Sequence, residues 1–443
     1  MITLQPMKRD IFKKLAAWKR SDRRKPLILQ GARQTGKTYA LQAFARAEYI
    51  DSVYCNFETN IDLKEFFSQN IQPDQIIRKL NIYFGKNIQP GRTLIIFDEI
   101  QACPEALNSL KYFHEQANQF HIAAAGSLLG VKLNQIKSFP VGQVNFLNLF
   151  PLSFLEFLDA MQQGSLRAFL EDIQSPESIT PLFHNKLIEQ LKLYFYIGGM
   201  PEAVASFVKK NDFSLVRDIH QEILKSYELD FSKHAEKSDV IKISEVWNSL
   251  PTQLARENKK FIFSIIKSSA RAREYESALQ WLKDAGLIYF SYHISKPSIP
   301  IEHYCDKQCF KVFGVDTGLL ATMSRTPAKA ILNGDALFTE FKGALTENFV
   351  AQQLTTHGHD RLYYWASPGI AEIDFVIDED LIIYPLEVKS GENIGRKKSL
   401  KTYDAKYHPH CLSTTSLLNF SSEGKIMNYP LYAIHLFPTL SSR

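Results

Sequence analysis

Gly31-Ala32-Arg33-Gln34-Thr35-Gly36-Lys37-Thr38, entered from the apolar run Pro26-Leu27-Ile28-Leu29-Gln30, decides how the rest of this 443-residue chain is read. The pattern GxxxxGK[ST] is a phosphate cradle. Glycines at 31 and 36 let the backbone turn until successive N–H groups face one point, and the helix that follows adds its positive N-terminal end. Gly31, Gln34, Thr35 and Gly36 line the cradle. Lys37 reaches the β/γ-phosphates, and the Thr38 hydroxyl serves Mg2+. Alone, the run is compatible with a tight strand-to-helix turn that holds no nucleotide.

A second piece lies downstream in Thr93-Leu94-Ile95-Ile96-Phe97-Asp98-Glu99, a short apolar strand ending in two carboxylates. Nucleotide-bound Mg2+ needs a carboxylate at the end of a neighbouring strand, which suits Asp98. The attacking water needs a base beside it, which suits Glu99. The two pieces in this order predict binding of ATP or GTP with Mg2+.

Around them strand and helix signals alternate: strand 26–30, a helix to about 48, strand 52–57, helical stretches around 62–84, strand 93–98, a helix near 104–118, then His121-Ile122-Ala123-Ala124-Ala125-Gly126-Ser127. That alternation predicts a parallel sheet wrapped by helices, with ligands at the carboxyl ends of the strands. Ser127, at the tip of the last run, is placed to sense the γ-phosphate or hold the attacking water; a plain helix N-cap fits it equally. A strand from Gln143 to Phe150 and a helix opened by Ser153, with Glu156 as capping-box partner, close a first domain at 1–158. Ahead of it, Met7, Ile11, Leu15 and Trp18 recur at helical spacing, and Lys8, Arg9, Lys13, Lys14 and Lys19 fill the other faces of the same helix, a basic side that suits phosphate or acidic lipid but is read first as solvated.

Composition bounds the alternatives. Hydrophobic residues at 45% and charged ones at 22% describe an ordinary globular protein, and the length calls for two or three domains. A formal charge of +5 permits a nucleic-acid partner without requiring one. No apolar run approaches a membrane span, and the N-terminal segment lacks the apolar core of a secretory signal, so a cytoplasmic protein is expected. The five cysteines, Cys55, Cys103, Cys305, Cys309 and Cys411, have no paired CxxC spacing and read as reduced core thiols.

The stretch 160–183 is polar and reads as a surface connection. A middle domain, 159–330, is mostly helical: 185–197, a break at Gly198-Gly199-Met200-Pro201, then 202–209, 213–235 and 241–257. Residues 278–288 look like the last helix of a winged-helix unit running through a glycine into its wing strands. Such a unit serves as a DNA reader or as a lid over a nucleotide, and the lid is preferred. Arg271 and Arg273 precede that helix.

A third domain, 331–443, reads as helix, strands, helix and strand. Glu347 lies on a helix whose buried side carries Leu345, Phe349, Val350 and Leu354. Strands follow at 361–365, 373–377 and 381–388, then a basic segment, Arg396-Lys397-Lys398. Side chains alternate across a strand, so Glu387 and Lys389 share a face, and Asp374 sits on the preceding strand. Carboxylates at Glu347, Asp374 and Glu387 converging on Mg2+, with the Lys389 ammonium beside them, suit cleavage of a phosphodiester. An ion-paired sheet edge explains Glu387 and Lys389 equally simply.

Over nearly its whole length the chain resembles the prokaryotic AAA-type ATPases in which a P-loop domain precedes a C-terminal domain of unknown function with a restriction-endonuclease-like end. The runs that carry the resemblance are Gly31 to Thr38, Phe97-Asp98-Glu99-Ile100-Gln101, Gly126-Ser127, Pro151-Leu152-Ser153-Phe154, Gly198-Gly199-Met200-Pro201-Glu202, Asp230-Phe231-Ser232-Lys233-His234, Lys342-Gly343-Ala344-Leu345-Thr346-Glu347-Asn348 and Glu372-Ile373-Asp374-Phe375-Val376. The resemblance implies an α/β additional-strand ATPase similar to the STAND group, with Gly199 and Pro201 against the adenine of ATP. It also implies a PD-(D/E)XK fold with Glu347, Asp374 and Glu387 as metal ligands and Lys389 as its lysine. Departures are the neutral Gln143, where relatives often carry Arg or Lys, and Ser399, which with Tyr403 holds the spacing at which some nuclease relatives place Gln-x-x-x-Tyr.

Two functions follow as expectations. In the first, nucleotide state gates a nuclease-type domain acting on DNA or RNA. In the second, a switch-type ATPase carries a nuclease-fold domain that has become a binding module for nucleic acid or protein. No membrane partner is expected, and an oligomer or protein partner is compatible with either.

Overall fold

Short apolar strands buried on both faces build the first part of the molecule. The computed structural model describes residues 7–127, 130–131, 142–256, 260–333, 339–368, 371–391 and 397–440. The chain divides into two units, Met1–Phe150 with Asp284–Gly286, and Pro151–Lys283 with Leu287–Arg443.

In the first unit, β1 (Leu27–Gln30), β2 (Asp51–Asn56), β3 (Thr93–Asp98), β4 (His121–Ala125) and β5 (Asn145–Asn148) form one sheet in the order β2-β3-β4-β1-β5. Every pairing is parallel, and β4 is the additional strand between the cradle strand β1 and the carboxylate strand β3. Ile28, Ile95, Phe97 and Ile122 face one core with Leu107, Leu110 and Phe113. Leu27, Leu29, Leu94 and Ile96 face the other with Leu41 and Phe44. Burial on both faces is why these strands read as continuous apolar runs rather than as alternation. The helix Ile11–Arg20 buries Ile11, Leu15 and Trp18 as its spacing predicts. Arg9 departs from the expected solvated face: it is buried and its guanidinium donates to the Thr35 and Phe150 carbonyls.

In the second unit, β6 (Ile288–Ile294), β7 (Cys305–Gly314), β8 (Leu362–Ala366), β9 (Glu372–Glu379), β10 (Ile382–Val388), β11 (Leu412–Ser416), β12 (Ser421–Glu423) and β13 (Ile426–Pro430) make an eight-stranded sheet in the order β12-β13-β11-β10-β9-β8-β6-β7. The helices Pro181–Ile197, Pro201–Lys210, Phe213–His234 and Lys237–Leu254 match the expected helical stretches.

Three features differ from the sequence reading. The helix Phe154–Ala160 has the expected capping box, with Ser153 Oγ accepting from the Glu156 N–H and the Glu156 carboxylate accepting from the Ser153 N–H, yet it belongs to the second unit. Its Phe154 ring packs edge-on against Tyr194 and Phe349, and its first N–H donates to Gln353, so by packing it goes with the second unit. The stretch 160–183 contains a helix, Gly164–Glu171, in which Arg167 is buried between Asp159 at 2.7 Å and Glu171 at 3.0 Å. Finally, among the described residues one sheet takes strands from both sides of residue 330. The helix Ala272–Asp284 does lead into an antiparallel β6–β7 hairpin, but β6 also pairs with β8, so the wing-like strands extend the C-terminal sheet.

No helix of the described residues is long and apolar enough to cross a membrane. A pH dependence is built into the helical part of the second unit. His220 is fully buried, with its ring nitrogens 2.9 Å from Thr322 Oγ1 and 3.0 Å from the Ile197 carbonyl. Burial, with help from the Arg217 cation, pushes its pKa down to about 3. The unfolded chain takes up that proton near the ordinary histidine value, so the stabilisation is complete above about pH 6.5 and is lost as pH falls toward 3, at about 1.4 kcal/mol per pH unit. Urea unfolding of the full chain at several pH values between 7 and 4 should show this decline, and His220→Gln should lessen its slope by up to one proton's worth, leaving the share of the similarly shifted His121 and His435; equal slopes would assign the acid sensitivity elsewhere.

Candidate functional site

The cradle residues lie where β1 ends. Gly31 has φ +146° and Gly36 φ +91°, and between them Gln34 is also left-handed at φ +64°. This alternation turns successive N–H groups inward. A Cβ on Gly31 would stand 2.1 Å from the Leu149 carbonyl oxygen, so no other residue fits there. Thr35 Oγ1 donates to the Ala32 carbonyl at 2.9 Å, and Arg9 Nη1 donates to the Thr35 carbonyl at 3.0 Å. Lys37 folds back inside the loop, its Nζ 2.9 Å from the Gly31 carbonyl and 2.7 Å from that of Ala32.

The ends of β3 and β4 complete the arrangement. Asp98 Oδ2 accepts from Thr38 Oγ1 at 2.8 Å and from the Tyr54 hydroxyl at 2.6 Å. Burial and the Asp98 contact push the Tyr54 phenol up to about 12, so it stays a donor. Thr38 and Asp98 offer the hard oxygen donors that Mg2+ takes, and their spacing fits it. Glu99 occupies a left-handed conformation at φ +50°, which costs roughly 1–2 kcal/mol in a non-glycine residue. That geometry aims its carboxylate at Ser127, whose Oγ donates at 3.1 Å, and at the Gln101 amide. Lys37, Thr38, Asp98, Glu99 and Ser127 are thus brought together as the sequence predicts. Arg9, Tyr54 and Gln101 were not foreseen. Arg9 lies far from the cradle in sequence and reads as one more surface cation; Tyr54, beside β3 on β2, carries a signal only once the strand order is known.

Gly199 and Pro201 lie in the second unit, at the start of the helix Pro201–Lys210. The Gly199 N–H donates to Asp316 Oδ2 at 2.6 Å, and its carbonyl accepts from the Leu152 N–H at 2.7 Å. A Cβ on Gly199 would lie 2.3 Å from the Leu152 carbonyl oxygen, and one on Gly198 2.1 Å from Asp316 Oδ1. Packing alone therefore accounts for both glycines.

The C-terminal carboxylates converge on a lysine. Lys311, on β7, is completely buried. Its Nζ pairs with Glu372, lies 3.7 Å from Asp374 and 3.9 Å from Glu347, and stands 4.9 Å above the Tyr364 ring. Burial works against the charge, but Glu372, Glu347 and Asp374 outweigh it and hold the ammonium well above the ordinary lysine range. Asp374 also accepts from the Val388 N–H at 2.8 Å. Glu387 and Lys389 do share a face, and they pair with each other at 2.6 Å. Glu347 and Asp374 are therefore brought together as expected, with the Lys311 ammonium at their centre and Glu387 engaged by Lys389. Lys311 was missed because, in a strand that also carries Asp306, Lys307 and Gln308, one more lysine reads as a solvated side chain. The basic segment after β10 opens the helix Lys398–Tyr407, on which Lys398, Lys401 and Lys406 line an open depression. Lys397 pairs with Glu423 at 2.7 Å, and Arg396 lies outside the described residues.

Comparison with known families assigns residues 23–158 to an AAA domain, 188–330 to a domain of unknown function (DUF8612) and 342–434 to another (DUF4143). An AAA-type P-loop ATPase fold is thereby shown for the first of these stretches. No curated protein matched the chain. Among solved structures, the Walker-type ATPase PABY2304 of Pyrococcus abyssi is 12% identical over 72% of this chain and 96% of its own, with a TM-score of 0.46. AMPPCP-bound DnaA from Aquifex aeolicus is 14% identical over 62% of this chain and 85% of its own, at 0.28. The Aeropyrum pernix ORC1 protein in complex with DNA is 13% identical over 73% and 92%, at 0.26.

Proposed function

We propose that the chain is an ATP-hydrolysing switch whose C-terminal sheet is a nucleic-acid-binding module that does not cut. The observation that carries the ATPase reading is the meeting of Lys37, Thr38, Asp98, Glu99 and Ser127 at the carboxyl ends of three adjacent parallel strands. With ATP in the cradle, Lys37 exchanges the Gly31 and Ala32 carbonyls for the β/γ-phosphates. Glu99, shared between Ser127 and Gln101, turns to hold the attacking water. Arg9 keeps the Thr35 peptide in place while the lysine moves. Thr38 and Asp98 would hold Mg2+, which would supply positive charge against the phosphates.

Lys311 favours the binding module over the nuclease. A buried ammonium already occupies the place among Glu347, Glu372 and Asp374 and offsets one of their three charges, and Lys389 is committed to Glu387. As built, that set does not suit a divalent cation as well. Lys398, Lys401 and Lys406 would then hold the phosphate backbone, giving an affinity that falls with salt.

The test uses full-length protein with Mg2+, labelled single- and double-stranded DNA and RNA, and ATP. Expected results are ATP turnover, salt-sensitive binding weakened by Lys398→Ala with Lys401→Ala, and intact substrates. Cleavage abolished by Lys389→Ala would restore the nuclease reading, and absence of turnover with every nucleic acid would reject the ATPase reading.

A further inference from the structure

The β6–β7 hairpin contains a second constellation of ligand-type side chains. The antiparallel register slips between Tyr292 and His293: Tyr292 lies opposite Phe310, whereas His293 lies opposite Asp306. Lys307, Gln308 and Cys309 are therefore without partners on β6 in this ladder, and a bulge of this kind re-aims side chains. One ligand atom each from His293, Asp306 and Cys309 lies within 4.8 Å of the other two.

We propose that these three residues bind a borderline-soft divalent cation of the Zn2+ type. An imidazole, a thiolate and a carboxylate are the donors that such an ion takes, while Mg2+ and Ca2+ call for oxygen alone. Tetrahedral donors at 2.0–2.3 Å from an ion stand about 3.3–3.6 Å apart, so the three atoms close by roughly 1 Å on binding. The surroundings orient each donor. The Gln308 N–H donates to Asp306 Oδ1 at 2.9 Å. His293 Nε2 faces the Ala366 carbonyl at 3.4 Å; with the proton there, Nδ1 keeps its lone pair for the metal. Cys309 Sγ lies 3.3 Å from the Tyr364 hydroxyl, a donor that supports a thiolate. His293 and Cys309 are half-buried and Asp306 is exposed, so an ion has a path in. Three protein donors leave the fourth position for water or a ligand atom.

The site adjoins the carboxylate pocket without sharing a donor with it. Cys309 and Lys311 occupy alternate positions of β7, and Tyr364 touches both: its hydroxyl meets the sulfur, and its ring lies under the ammonium. The hard carboxylates are thereby held by lysine while the softer donors remain open.

The test is a titration of reduced, metal-stripped full-length protein with Co2+, followed by competition with Zn2+. The expected result is one equivalent bound, with a sulfur-to-cobalt charge-transfer band in the near ultraviolet that Zn2+ abolishes. Cys309→Ser should remove the band, and His293→Ala should weaken binding at least roughly tenfold, on the scale of lost metal-site contacts. Cys305→Ser, one strand end away, should leave the band intact. Thermal unfolding of each variant checks that it is folded. Absence of the band in folded wild-type protein, or its survival in Cys309→Ser, would overturn the proposal. Its loss in Cys305→Ser alone would place an adventitious thiol contact there and overturn it as well.

Discussion

Replacing Lys37 by Ala is expected to abolish ATP hydrolysis and to weaken nucleotide binding by roughly ten- to hundredfold, the worth of one charge-assisted contact of about 1.5–3 kcal/mol. Lys37 is buried inside the loop with its ammonium on the Gly31 and Ala32 carbonyls, within reach of the point at which the cradle's N–H groups converge. Glu99→Gln should behave differently. The amide still fits between Ser127 and Gln101 and still approaches ATP, so binding persists. A group that no longer takes a proton should slow turnover by roughly a hundred- to ten-thousandfold. Binding of a fluorescent ATP analogue and single-turnover hydrolysis separate the two effects. A Glu99→Gln protein that turns over at the wild-type rate would remove Glu99 as the group that holds the water, whatever Lys37→Ala does.

The contrast between the two sites explains what the sequence made legible. The nucleotide site is compact in sequence: the cradle is one continuous run on one turn, and Asp98 and Glu99 are neighbours on one strand, so their chemistry is written in local spacing. Its supporting residues are not local. Arg9 reaches the Thr35 carbonyl from 26 positions away, and the Tyr54 contact to Asp98 exists only because β2 and β3 are adjacent. The C-terminal pocket is the harder case. Glu387 was legible from strand alternation, and Glu347 and Asp374 from their places on the preceding helix and strand and from resemblance, but their meaning depends on the cation among them. That cation arrives from β7, beyond the boundary drawn at residue 330, by way of the β6–β8 pairing that no periodicity announces. Likewise Ser153 and Glu156 gave the helix start correctly, because a capping box is local. Which unit the helix joins was decided by Phe154 packing on Tyr194 and Phe349, which is not.

Lys311→Met is expected to be the most destabilising single change in the second unit and, at the same time, to create a divalent-cation site. Methionine keeps the stem's volume but removes the charge from Glu347, Glu372 and Asp374, and breaking a buried ion pair from one side typically costs about 3–5 kcal/mol. Two features separate this from a mere packing defect. The first is pH. The folded-state pKa of Lys311 is raised, so its contribution is fully present at neutral pH and is lost only above the ordinary lysine range. In the variant the three carboxylates repel one another and bind protons more readily than in the unfolded chain, so its deficit should shrink as pH falls from 7 toward 5. The second is metal. With the ammonium gone, the oxygens suit Mn2+ or Mg2+, and either ion should raise the variant's unfolding midpoint while leaving the wild type unmoved. Both measurements belong in an Asp98→Asn background without nucleotide, so that the first unit's own metal position is silent. Adding Glu372→Gln and Asp374→Asn to Lys311→Met should recover much of the stability and abolish the metal effect, a coupling that independent defects would not show. If Mn2+ stabilises wild type and Lys311→Met equally, the ammonium does not hold the cation's place. Glu347, Asp374 and Glu387 then return as a metal site in their own right, and the nuclease reading with them.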